Sequence, residues 1–247
     1  MRAILMAAGR GSRISRNIEN SNKCTLDIGG IPLIRHTVSM LRSRDIGVSI
    51  VLGYRGDTVR KALEGLDVTY YENPFFHVTN SIASLWFARG EFDKPDDFIM
   101  ANADVYWNED ILDVILADSL PNILVADSSD RAKEHGDYFF KYENGLLRKF
   151  GKDLRGDDIS GEYIGICKIC KSFVEIFRTR LSQLIEEQHA DMWWEDTLYS
   201  QVGERDLHVV DIKGMFWSEI DYIEDFFRVV EQHRAYISSR PGSTRSD

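Results

Sequence analysis

A run of four apolar residues, Ala3-Ile4-Leu5-Met6, empties without a linker into Ala7-Ala8-Gly9-Arg10-Gly11-Ser12-Arg13, and nine residues then intervene before Lys23. This opening constrains the fold and the chemistry together. The apolar run reads as a buried first strand, and a strand that ends in a glycine-rich turn carrying cations is a place to hold phosphate. Gly9 and Gly11 let the backbone approach an anion with no Cβ in the way. The N–H groups of the turn, that of Ser12 among them, can point at phosphate oxygens, and Arg13 and Lys23 bring positive charge to the same spot. The competing reading is an ordinary strand-to-helix turn with two solvated cations.

The turn departs from two common signatures. A dinucleotide fingerprint wants a third glycine, and Ile14 stands there. A P-loop ends in Gly-Lys-Ser/Thr, whereas Ser12 is followed by Arg13.

The rest of the chain bounds the possibilities. Its 247 residues leave room for one large domain or two small ones. A hydrophobic content of 43% and a charged content of 28% are those of a chain that buries a proper core. A formal net charge of −10 argues against a nucleic-acid surface. No apolar run approaches the roughly 20 residues that span a bilayer. No secretory signal pattern opens the chain, and three cysteines suit a reducing compartment, so a cytoplasmic location without membrane attachment is expected. Cys167 and Cys170 form a C-x-x-C in a strand-like stretch, where residues three apart face opposite sides, so they read as structural.

Strand-like runs alternate with helix-period stretches through the first half. Strands are expected at Val48–Leu52, Val68–Tyr71, Phe98–Ala101 and Asn122–Ala126. Helices are expected near Pro32–Arg44, from Asp57 as cap to Glu64, over Asn80–Arg89 and near Asn108–Ala117. That alternation predicts an α/β fold, Rossmann-like, with a mixed but mainly parallel sheet and helices on both faces. Ligands of such folds bind at the carboxyl ends of strands. The pattern then changes: Tyr138–Tyr142 and Leu146–Phe150 flank Asn144-Gly145, a hairpin signal. A strand at Glu162–Ile169, a helix capped by Ser172, a helical stretch after Trp193, a strand at Leu207–Ile212 and a helix at Ile223–Tyr236 follow. One continuous domain is expected over 1–237, with a small hairpin-containing subdomain (about 128–215) over the active site and a flexible tail at 238–247.

Asp104 ends the Phe98–Ala101 strand region in Asn102-Ala103-Asp104, and Asp221 closes Ser218-Glu219-Ile220-Asp221 before the last helix. Mg²⁺ takes one or two carboxylates plus phosphate oxygens, so two aspartates converging on the basic turn would complete a metal–triphosphate site. A turn former at Asp104 and a helix cap at Asp221 are the plainer readings.

With these pieces in view, nearly the whole chain resembles the choline-phosphate and phosphonate cytidylyltransferases of the sugar-nucleotidyltransferase superfamily. The resemblance rests on M-A-A-G-R-G-S-R, Lys23, V-L-G-Y, T-N-S-I-A-S-L-W, A-N-A-D and S-E-I-D. It implies a Mg²⁺-dependent transfer of CMP from CTP to a small phosphate or phosphonate, of the phosphocholine or 2-aminoethylphosphonate type, with release of pyrophosphate. It further implies that Arg13 holds the triphosphate, Lys23 bridges to the attacking phosphoryl group, and Asp104 and Asp221 hold Mg²⁺. Ala8 and Gly9 would enclose the nucleoside, and Asn80 and Ser84 would reach the base edge. Trp194 and Glu195, in Trp193-Trp194-Glu195-Asp196, would meet an amine-bearing acceptor, with Glu162 as a further acceptor-binding candidate. The lysine here follows Asn22 where the family usually has Pro-Lys, which removes a rigid turn but not the cation.

Three other readings stay open at this level. They are a sugar- or polyol-phosphate nucleotidyltransferase, a metal-dependent glycosyltransferase with a degenerate D-x-D, and a nucleotide-binding module without turnover. Base identity and acceptor identity are not fixed by these residues. Nor is oligomeric state, a homodimer being one candidate.

Overall fold

The computed structural model describes residues 1–11, 13–14 and 21–240. Its first half alternates as the sequence pattern predicts: β1 (Arg2–Ala7), α1 (Leu33–Arg42), β2 (Gly47–Leu52), α2 (Gly56–Ala62), β3 (Thr69–Glu72), α3 (Ser81–Phe87) and β4 (Phe98–Asn102). Next come β5 (Val105–Tyr106), α4 (Glu109–Ala117), β6 (Asn122–Asp127), α5 (Asp130–His135), the hairpin β7 (Phe139–Glu143) and β8 (Leu146–Gly151), and β9 (Gly161–Ile169). The chain ends in α6 (Lys171–Glu186), α7 (Asp196–Tyr199), β10 (His208–Asp211), β11 (Ser218–Glu219) and α8 (Ile223–Ser239).

Nine strands form one sheet in the order β3-β2-β1-β4-β9-β6-β10-β8-β7. Neighbours from β3 to β4 run parallel, whereas β9 lies antiparallel to both β4 and β6. Alternation along β1 shows why two helical layers are needed. Ala3, Leu5 and Ala7 pack with Ile34, Val38, Val59 and Ile111 from α1, α2 and α4. Ile4 and Met6 point the other way, into Ile82, Leu85, Phe173 and Phe177 from α3 and α6. Side chains that alternate across a strand leave both faces of the sheet apolar, and each must be covered.

Local details differ from the sequence expectations for identifiable reasons. Asp57 does not cap α2: Arg55 does, in the left-handed region at φ 50°, and Asp57 sits in the first turn. Cys170, not Ser172, precedes α6. The helix α8 runs on through Ser239, so the tail expected from position 238 begins as helix, and 241–247 lie outside the described residues. The hairpin is not set apart by a sheet of its own: Phe139 and Phe140 pair with Glu162 and Gly161 of β9, and Leu146 pairs with His208 of β10. Its Asn144-Gly145 turn has both residues at positive φ (52° and 73°), as a two-residue hairpin turn requires. All three cysteines are free. No described helix is long and apolar enough to cross a membrane.

The short ribbon β5–β11 had no counterpart in the sequence reading, and it positions the site. Ser218 pairs with Tyr106 and Glu219 with Val105, and the Ile220 N–H donates to the Asp104 carbonyl at 3.0 Å. Asp221 is thereby delivered beside Asp104. Upstream, the buried Asp127 carboxylate anchors the same segment, accepting from the Gly214 N–H (2.9 Å) and the Trp217 indole N–H (3.1 Å). Asp127→Ala should leave the buried Trp217 indole N–H without its partner and cost about 1–3 kcal/mol, the scale of one stranded buried group. Urea denaturation checks this, and a stability equal to wild type would mean that the segment is held by its apolar contacts alone.

Candidate active site

The carboxyl ends of β1 and β4 lie side by side, with Met6 in register with Asn102, and a cleft of about 360 Å³ opens there. Asn22 organises its rim. Buried at 3% exposure, its side-chain amide donates to the Ala7 and Tyr54 carbonyls (both 2.9 Å) and weakly to that of Gly9 (3.5 Å), while its carbonyl accepts from the Cys24 N–H. One side chain thus joins the end of β1, the glycine turn and the turn after β2. The departure from Pro-Lys therefore replaces one kind of rigidity with another.

Immediately after it, Lys23 projects into the cleft at 7% exposure. Its Nζ lies 2.7 Å from Asp104 Oδ2 and 2.8 Å from Asp221 Oδ1. Arg13 pairs with the other oxygen of Asp221 and lies over the Tyr222 ring. Burial alone would lower the Lys23 ammonium, but Asp104 and Asp221 outweigh it and leave its pKa raised. Burial would raise Asp221, but Lys23 and Arg13 hold its carboxyl below the usual range. The four groups expected to act on phosphate and metal are therefore together. Among the described residues no three His, Cys, Asp or Glu side chains form a metal centre on their own. Two carboxylates meeting at one buried cation are nonetheless the protein share that Mg²⁺ takes when phosphate oxygens complete its shell, so the donor set fits.

Gly11 shapes this corner. It sits at φ 61°, and a Cβ there would come within 2.4 Å of Lys23 Cγ. Gly9 and Ala8 line the cleft, and nothing lies within 4 Å of where a Gly9 Cβ would be. Ser12 lies outside the described residues.

On one side of the cleft, Asn80 caps α3 by accepting from the Ser81 N–H (2.8 Å) and donates to the Asp191 carbonyl (3.1 Å). Ser84 is buried there, and its Oγ accepts from Asn73 at 3.0 Å, while among the described residues its own O–H has no acceptor. Both line the cleft.

The opposite side corrects two expectations. Trp194 is fully buried beneath the floor, its indole N–H donating to Asn102 Oδ1 at 2.8 Å, because the start of α7 turns it into the core. Its neighbour Trp193, 42% exposed, forms the wall instead, edge-on to Tyr138 and with Lys152 Nζ 5.3 Å from its ring. Glu162 does not line the cleft either: it lies under the hairpin approach and accepts the Asp137 N–H at 2.8 Å, with burial pushing it up to about 7. Glu195 does face the cleft, at 7% exposure, with Asn102 donating to its Oε1 at 3.1 Å. Burial pushes its carboxyl up to about 8. Among the described residues no lysine or arginine forms an ion pair with it. Tyr138, Tyr163 and Tyr199 complete the wall, and the Tyr163 hydroxyl has no hydrogen-bond partner among the described residues.

The sequence reading missed Asn22 as an organiser, and Asp137, Tyr138, Lys152, Tyr163, Trp193 and Tyr199 as lining groups. The tyrosines of β9 and α7 follow no motif, and only the fold gathers them. Two glycine variants separate conformational need from mere composition. Gly11→Ala should destabilise by more than about 1 kcal/mol, since its φ excludes a side chain and Lys23 occupies the space. Gly9→Ala should stay within about 0.5 kcal/mol of wild type. Denaturant unfolding of both variants checks this, and equal losses would contradict the assignment.

Comparison with known proteins identifies the family and the fold. The sequence profile of the MobA-like NTP transferase domain matches residues 3–193. The chain is similar to the CTP:phosphoglutamine cytidylyltransferase of Campylobacter jejuni, 24% identical over 94% of this chain and 100% of that protein. It is also similar to the choline-phosphate cytidylyltransferase of Haemophilus influenzae, 23% identical over 94% of this chain and 97% of that one. In fold it resembles the CTP:phosphocholine cytidylyltransferase of Streptococcus pneumoniae, with a TM-score of 0.75 at 19% identity, covering 94% of this chain and 98% of the other. The chain therefore belongs to the MobA-like NTP transferase family, that of the nucleotidyltransferases.

Proposed function

We propose that this protein is a Mg²⁺-dependent cytidylyltransferase that moves CMP from CTP to a small amine-bearing phosphate or phosphonate and releases pyrophosphate. The observation that carries the proposal is the polarity of the cleft. One end gathers Arg13, Lys23, Asp104 and Asp221, and the other sets a buried Glu195, in no ion pair among the described residues, beside Tyr138, Trp193 and Tyr199. The first end suits a metal-bound triphosphate. The second suits a compact cation, which an aromatic wall and a carboxylate both attract. The amine-bearing acceptor and the choice of CTP also draw on the likeness to cytidylyltransferases.

The acceptor needs little activation. The second ionisation of a phosphate ester lies near pH ~6, so its oxygen is largely anionic at neutral pH. No general base is assigned. An acceptor oxygen attacks the α-phosphorus in line, the new P–O bond forms, and the bond to the β-phosphate oxygen breaks with its electron pair leaving on pyrophosphate. The obstacle is mutual repulsion of two anions, which Arg13 on the triphosphate and Lys23 between α-phosphate and acceptor reduce. Asp104 and Asp221 would hold Mg²⁺, which supplies further charge neutralisation when bound. Ala8 and Gly9 would enclose the nucleoside, with Asn80 and the Ser84 O–H presented to the base edge.

Pyrophosphate release across the four nucleoside triphosphates, with phosphocholine, aminoethylphosphonate and sugar 1-phosphates, tests the reading. Turnover confined to CTP and amine-bearing acceptors is expected, and turnover with sugar phosphates alone would overturn the acceptor assignment. Lys23→Ala and Asp104→Ala should each lose at least about 10²-fold in kcat, the scale of one electrostatic stabiliser. A near-wild-type rate in either would remove that residue from the mechanism.

Glu195 adds a pH signature. With its carboxyl up at about 8, it is mostly neutral at pH 6 and ionises as pH rises, which favours an ammonium partner. The acceptor KM should therefore fall between pH 6 and 8 more steeply in wild type than in Glu195→Gln, in which nothing titrates at that position. Identical slopes in the two proteins would exclude Glu195 from acceptor binding.

A further inference from the structure

The groups assigned to metal and to phosphate are bonded to one another, and this has a consequence for how the ligands enter. The Lys23 ammonium forms an ion pair with Asp104 Oδ2 at 2.7 Å and donates a hydrogen bond to Asp221 Oδ1 at 2.8 Å. These are the oxygens that the proposed reading offers to a divalent ion, on which this inference rests. A cation held between two carboxylates at such distances occupies the same electrostatic position as the ion.

From this we infer that Lys23 is an internal place-holder: its ammonium and the divalent ion compete for the Asp104 and Asp221 carboxylates. Triphosphate oxygens resolve the competition by giving the ammonium a new anionic partner. Three features support an exchange over a fixed bridge. The lysine is anchored at its base, where Asn22 ties down the preceding backbone and the stem runs against Gly11. Its terminal ammonium therefore has a short arc to travel. The ammonium is nearly buried, so few waters compensate it if it leaves without a new partner. Arg13 holds the remaining oxygen of Asp221, so both phosphate-directed cations share partners with the metal-directed acids. The nucleotide must then arrive to free the metal ligands, and metal and triphosphate bind as a pair.

The test uses direct Mn²⁺ binding to the full chain without nucleotide, by calorimetry or by electron paramagnetic resonance of free Mn²⁺. Lys23→Met keeps the stem and removes the charge, and it should bind Mn²⁺ about tenfold or more tightly than wild type, the usual scale of coupling between two sites. Lys23→Gln decides the matter if the methionine variant does not fold. Adding Asp104→Asn to either should abolish the gain. Equal or weaker Mn²⁺ binding by the folded Lys23 variant would overturn the inference, as would a gain that survives Asp104→Asn. No nucleotide or acceptor enters this assay. A chain active with CTP whose Lys23 variant gains no Mn²⁺ affinity would keep the proposed function and lose the place-holder. A chain inactive with CTP could still show the gain.

Discussion

A single buried ammonium unites three stretches of chain that the sequence keeps far apart. Lys23 follows the first strand, Asp104 follows the fourth, and Asp221 precedes the last helix. Burying a charge is costly unless it is paired, so each partner is needed to make the other two tolerable. The rest of the architecture serves that arrangement. The Asn22 amide fixes where the lysine starts, the β5–β11 ribbon sets the second aspartate beside the first, and Asp127 secures the segment that carries it.

Much of this was legible in the sequence because it is local. A strand emptying into a glycine turn, cations at fixed spacing, and a carboxylate at a strand end each follow from a few adjacent residues. Periodicity gave the alternating strands and helices of the first half for the same reason, and Asn144-Gly145 named its turn. What escaped was set by pairing at a distance. Two-residue strands such as β5 and β11 carry too little pattern to be seen, yet they decide where Asp221 lies. The choice between Trp193 and Trp194 depends on which way a short helix enters the core, and adjacent tryptophans read alike until the fold buries one of them. Glu162 was plausible by type alone. Its strand pairs with the hairpin at that residue, and this turns the carboxylate under the backbone of Asp137.

Asn22 is a different case. Read against the family pattern it was a loss of rigidity, since proline restricts the chain by covalent geometry. The fold shows restriction by hydrogen bonds, with three carbonyls drawn to one amide. The two devices act at different ranges. Proline stiffens only its own turn, whereas the asparagine also ties that turn to its neighbours.

The hairpin that flanks the Trp193 wall of the cleft is an extension of the main sheet, bonded through β9 to the strand carrying Asn102. Tyr138 and Lys152, at its two open ends, present their side chains to the cleft, while the strands between keep the register of the sheet. The side chains at those ends can drift while the backbone ladder stays in place. Point changes at those two ends would reshape the cleft margin without disturbing the backbone that carries the Lys23 cluster.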